Sequence, residues 1–195
     1  FVGAFRQCEV EISGEEARQP MGAAKLDHIR QILAMPAVVQ RWQAARGKPP
    51  GDADAQEIYH RFLPLQLDIL AQFSKLIPGA LAMQDYCRGR GMKIGSSTGY
   101  VSELMDVLVP LAREQGFQPD AMVCASDVPI GRPAPWLNLE NLRRLNVYPA
   151  RLTVAVDDTI VGVQAGVNAG MWTIGISRTG NEVGLDAASW AALPV

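Results

Sequence analysis

The sequence predicts an α/β protein in two parts, a helical stretch over residues 1–75 and a doubly wound α/β core over residues 76–195 with a mostly parallel sheet. Two observations carry this. In the first part apolar residues recur at helical spacing, and after LIPGA short runs of β type alternate with helical ones. Pro78 and Gly79 mark the change of rhythm.

FVGAFRQCEV opens in the middle of an amphipathic helix, on Phe1 rather than on methionine, and reads as part of something longer. In SGEEARQPMG, Ser13 is an N-cap and Glu16, three residues on, completes a capping box. KLDHIRQILAM, AVVQRWQAARG and DADAQEIYHRFLPLQLDILAQFSKL then carry helical patterns. MKIGSS, AMVCAS, RLTVAVDD and MWTIGIS read as strands. The helical VSELMDVLVPLAREQG, APWLNLENLRRLN and IVGVQAGVNAG between them make the strands parallel.

Composition narrows the function. A chain of 195 residues with 48% hydrophobic content buries a real interior. Its net charge of -2 gives no basic excess for nucleic acid. The cysteines, Cys8, Cys87 and Cys124, are odd in number and lack metal-ligand spacing, which points to a reducing compartment, the cytoplasm. No apolar run is long enough to span a membrane.

In open α/β sheets ligands sit beyond the C-terminal strand ends. The first strand runs into GSSTGY, where the hydroxyls of Ser96, Ser97 and Thr98 precede a helix and suit a phosphate; a plain helix cap is the alternative. Arg132, in the proline-braced loop SDVPIGRPAPW after the second strand, is placed to pair with phosphate oxygens, or is merely solvated. The third strand ends in Asp157 and Asp158, adjacent carboxylates whose repulsion a Mg²⁺ ion would offset; helix capping by Asp158 is the alternative. In PMGAAKLDHIR, Lys25 sits among small apolar residues with His28 three positions on, hence on the same helical face. Here the bland alternative is a surface lysine.

The order of Thr98, Arg132 and the Asp157–Asp158 pair, with GMWTIGI after them, resembles the haloacid dehalogenase superfamily of phosphoryl-transfer enzymes. PMGAAKLDHIR, KIGSSTGY, DVPIGRPAPW and VDDTIVGVQAGVNAGMWT narrow the match to the phosphonoacetaldehyde hydrolase (phosphonatase) family, over nearly the whole chain. The resemblance implies a haloacid dehalogenase core with a helical cap domain, the cap being residues 1–75. It implies hydrolysis of the P–C bond of phosphonoacetaldehyde to acetaldehyde and phosphate, with Lys25 forming a Schiff base and His28 moving protons. Met21 would pack beside the amine, Thr98 and Arg132 would bind the phosphoryl group with Tyr100 nearby, and Asp158 would ligate Mg²⁺ with Asp157 in support. A homodimer acting on a small phosphonate is also implied.

Departures from the family bear on this. Relatives often carry a second acid four residues after the first in the metal loop; here that position is Gly162. The family's aspartate nucleophile, in a D-x-x-G-T motif on the first central strand, has no counterpart in the sequence. The core is therefore expected to be incomplete, its first central strand absent from between the strands that end near Thr98 and at Asp157, and the C-terminal end is expected to be missing too. Two alternatives stand beside P–C hydrolysis: a capped phosphatase or phosphomutase on C–O–P substrates, and a noncatalytic remnant that binds phosphate or a partner.

Overall fold

The computed structural model describes residues 1–177 and residue 192. Beyond residue 177, the stretch assigned to the core lies outside the described residues except for residue 192. The helical part holds α1 (Val2–Arg6), α2 (Gly14–Arg18), α3 (Lys25–Leu33), α4 (Pro36–Arg46) and α5 (Asp52–Leu70). Local chemistry sets several of these ends. The Ser13 hydroxyl accepts from Glu16 N–H while the Glu16 carboxylate accepts from Ser13 N–H, the expected capping box. Pro36 starts α4, where its missing N–H costs nothing, and Gly47 ends it in a left-handed conformation.

These helices are held by one apolar cluster that includes Phe5, Val10, Ile29, Ile32, Val38, Trp42 and Ile58, all shielded from solvent. Helix α5 is its spine, packing against both α1 and α3. Burial of such side chains stabilises by roughly 1.5–3 kcal/mol each, which fixes the face that α3 turns inward.

From Ala80 onward the chain alternates: α6 (Ala80–Arg88), β1 (Gly95–Ser97), α7 (Ser102–Glu114), β2 (Ala121–Val123), α8 (Trp136–Leu145), β3 (Val154–Asp157), α9 (Ile160–Asn168) and β4 (Trp172–Gly175). All four expected strands form, and the pairing is parallel throughout. They do not join into one sheet. β1 pairs with β2, Gly95 opposite Ala121, and β3 pairs with β4, Val154 opposite Trp172, and among the described residues the two pairs share no ladder.

The helical part meets the core through the turn that precedes α3. Gly22 has a φ of +94°, and a Cβ there would lie 2.5 Å from Thr159 Oγ1 and 2.7 Å from Val161 Cγ2. Ala23 O and the Ala24 methyl group press on Gly99 and Gly131, each 3.2 Å from where a Cβ would stand. Gly99 therefore takes backbone directly, Gly131 takes the Ala24 methyl group and the Thr159 and Val161 side chains close on Gly22, so that Lys25, the first residue of α3, is delivered over the strand ends. Gly47 supplies a control, because its φ of +72° is also left-handed but a Cβ there meets nothing within 4 Å. Gly47→Ala should cost only the conformational term, about 1–2 kcal/mol. Gly22→Ala should cost clearly more by denaturant unfolding, and equal losses would show that the turn is not seated on the core.

Candidate active site

Lys25 is 8% exposed although it is the first residue of its helix, because the core loops cover it. Its Nζ lies 4.9 Å from the centroid of the Tyr100 ring and 5.4 Å from that of Phe1. The rings shield the ammonium from water and return part of the lost solvation through their π faces. Burial, with the Arg132 guanidinium adding repulsion, lowers the Lys25 pKa to about 8. A substantial fraction of the amine is then neutral near physiological pH.

His28, one turn further on, is completely buried. Its Nε2 lies 2.8 Å from Ala17 O. A carbonyl only accepts, so Nε2 carries the hydrogen and the lone pair is on Nδ1, which is buried without a hydrogen-bond partner. The Phe1 ring stacks on the imidazole at 3.9 Å and on Phe62 at 4.4 Å. Burial, opposed by the Ala17 carbonyl and reinforced by the Lys25 charge, pushes the His28 pKa down to about 4. At neutral pH the ring is an uncharged acceptor.

The core supplies three loops. Thr98 continues β1, its N–H donating to Val123 O, and its Oγ1 accepts from Tyr100 N–H at 3.1 Å. Burial of Tyr100, only partly opposed by the nearby Gln66 side chain, raises the phenol pKa and keeps it protonated. Arg132 does not point to solvent. Its Nη2 donates to Ser97 O at 3.0 Å and Ser97 Oγ at 2.8 Å and lies 3.3 Å from Asp157 Oδ2. Asp157 Oδ1 accepts from Thr159 N–H at 2.9 Å and from Thr159 Oγ1 at 2.7 Å. Thr159, not Asp158, is the N-cap of α9, and its Oγ1 accepts from Gly162 N–H.

The structure thus links Lys25 to His28, Tyr100 and Arg132, and Arg132 to Asp157, with Thr98 in the turn before Tyr100. Asp158 stands beside them, exposed at the end of β3. Met21 is half-buried in the turn ahead of α3 rather than on its face. Among the described residues no group of three or more His, Cys, Asp or Glu side chains is gathered to hold a metal. Phe1 and Gln66 were not anticipated. Gln66 had a legible signal: Ile58, Phe62, Gln66 and Leu70 form an i+4 stripe in which only Gln66 is polar. Phe1 had none, being one apolar residue of an apolar helix.

A family model for haloacid dehalogenase-like hydrolases matches residues 2–170. A phosphonoacetaldehyde hydrolase of Syntrophobacter fumaroxidans is 44% identical over 100% of this chain, which spans 70% of that protein. One from Nitratidesulfovibrio vulgaris is 45% identical, with 100% of this chain and 69% of that protein covered. The crystal structure of a phosphonoacetaldehyde hydrolase-like protein from Oleispira antarctica superposes with a TM-score of 0.95 at 40% identity, over 100% of this chain and 70% of that one. With this agreement in sequence and in fold, the chain belongs to the phosphonoacetaldehyde hydrolase family of haloacid dehalogenase-like hydrolases.

Proposed function

We propose that this protein cleaves the P–C bond of phosphonoacetaldehyde, with Lys25 as the amine that activates the aldehyde. The observation that carries this is the buried Lys25 amine with its pKa lowered to about 8, beside the second cation, Arg132. Lys25 and Arg132 repel one another although Asp157 already pairs with Arg132, and a phosphonate bound beside both would relieve that repulsion. Direct P–C cleavage would expel a carbanion, whereas a protonated imine accepts the electron pair and an enamine leaves instead. The neutral Lys25 amine adds to the aldehyde carbon, and loss of water gives the imine. As the phosphoryl group passes, in net terms, to water and gives phosphate, the P–C electron pair moves into the imine and an enamine remains on Lys25. Protonation at carbon and hydrolysis then release acetaldehyde and regenerate Lys25. Nδ1 of His28, an unpartnered lone pair one helical turn from Lys25, takes and returns the protons. A purely C–O–P substrate would leave the buried lysine without a task.

Thr98 and Arg132 hold the phosphoryl oxygens, with Tyr100 between them and the amine and Met21 at the rim. Asp158 is the ligand for Mg²⁺, with Asp157 in support: the donors are hard carboxylate oxygens, and an ion that keeps most of its waters needs few protein ligands. Bound there, Mg²⁺ would neutralise charge on the phosphoryl oxygens. No helix among the described residues is long and apolar enough to cross a membrane. The three free cysteines support a cytoplasmic setting, and the resemblance supports a homodimer.

Three outcomes test this reading. Borohydride added with phosphonoacetaldehyde should trap a reduced adduct on Lys25, located by peptide mass spectrometry, at a rate that climbs as pH rises through about 8. Labelling at another lysine, or none in folded protein, sinks the imine step. A second outcome concerns stability. The unfolded chain keeps the Lys25 proton up to about 10.5 and the folded chain releases it near 8, so burying Lys25 is most costly below pH 8 and the cost fades by 10.5. Lys25→Met should therefore stabilise by about 3 kcal/mol at pH 7, with the gain shrinking as pH approaches 10.5. Thirdly, Asp158→Asn should weaken Mg²⁺ binding in calorimetric titration, and an unchanged isotherm would remove Asp158 from the metal site.

A further inference from the structure

Gly162 occupies the third position of α9, its amide bound to the cap Thr159. Its backbone is not left-handed, so no conformational demand excludes a side chain. What excludes one is Asp157. A Cβ on Gly162 would lie 2.0 Å from Asp157 Cγ, 2.1 Å from Oδ1 and 2.2 Å from Oδ2. The carboxylate fills the volume that any other residue at 162 would claim. From that position its Oδ1 takes both Thr159 donors and its Oδ2 faces Arg132, with the two ionic side chains only 12% and 11% exposed.

We propose that Asp157 is the positioning residue for Arg132, and that Gly162 is the space its carboxylate requires. There is room at the start of α9 for one carboxylate, carried from position 157 or from position 162 but not from both. The hydrogen-bond chain has a fixed direction. Gly162 N–H donates to Thr159 Oγ1, whose hydroxyl donates to Asp157 Oδ1; the other oxygen meets Arg132, which in turn donates to Ser97. The pair therefore ties the end of β3 to the end of β1 and holds the guanidinium over the strand ends. A methyl group at 162 displaces the carboxylate and frees Arg132. The reason for wanting Arg132 fixed rests on the phosphoryl-binding role proposed above, but the coupling of 157 to 162 does not.

The test is a double-mutant cycle with a direct reading of Arg132. With Asp157 present, Gly162→Ala should lower the melting temperature. In an Asp157→Gly background the same change should leave it level or raise it, because alanine propagates a helix better than glycine. A loss of equal size in both backgrounds overturns the proposal. Arg132 is then labelled with phenylglyoxal and quantified by mass spectrometry against the exposed Arg143. Asp157→Gly should accelerate labelling several-fold, and the swap of Asp157→Gly with Gly162→Asp should return it toward the native rate. Native protection in folded Asp157→Gly protein, or no recovery in a folded swap, also overturns it. Titration with inorganic phosphate separates the two readings. If Arg132 labelling responds as described and phosphate affinity does not change, the positioning stands and the phosphoryl role of Arg132 fails.

Discussion

Everything at the site depends on how closely the turn at Gly22–Ala24 approaches the core. Side chains at residue 22, 99 or 131 would hold the two parts apart, and Lys25 would then be a hydrated lysine at a helix end. With bare backbone at these points, α3 starts within reach of Tyr100, and the lysine loses its water. The desolvation is unfavourable to folding and favourable to chemistry, because it places the amine pKa at about 8. The apolar cluster beneath α3, with Ile29, Ile32 and Trp42 sealed from solvent, offsets that cost.

Charge is distributed to one purpose around this point. Lys25 and Arg132 are both cationic and mutually repelling, Tyr100 and Phe1 present π faces, and His28 is kept uncharged. A protonated histidine would add a third positive charge to a dry site. The Ala17 carbonyl fixes the ring's hydrogen on Nε2, so the free lone pair is a property of the fold rather than of the residue alone. Phe1 stacks on both His28 and Phe62 and braces the imidazole, with the Lys25 ammonium also against its ring.

The core contributes rigidity through polar rather than apolar links. Two short parallel strand pairs share no ladder among the described residues, yet Arg132 bridges Ser97 and Asp157 at their C-terminal ends. This bridge turns a loop arginine into a fixed donor, and it sets the geometry at the point where α9 begins.

The sequence by itself determined the secondary structure and the cast of the site. Apolar periodicity marked the helices except α6 (Ala80–Arg88), β-type runs marked all four strands, and the Ser13–Glu16 box marked a helix start, because each of these is a local pattern. PMGAAKLDHIR, GSSTGY and VDDT marked Lys25, His28, Thr98 and the acidic pair through residue type and spacing, while Tyr100 came only from the family resemblance. Whether Lys25 was buried, whether Arg132 was solvated and which residue capped α9 were open, since each depends on what a distant segment places against it. Only the tertiary structure decided that Tyr100 and Phe1 enclose the amine and that Thr159 is the cap. It also decided that Asp157 turns inward toward Arg132, through the space left by Gly162. The physical reason is that desolvation and hydrogen-bond partnership are set by neighbours far apart in the chain, and no local pattern records them.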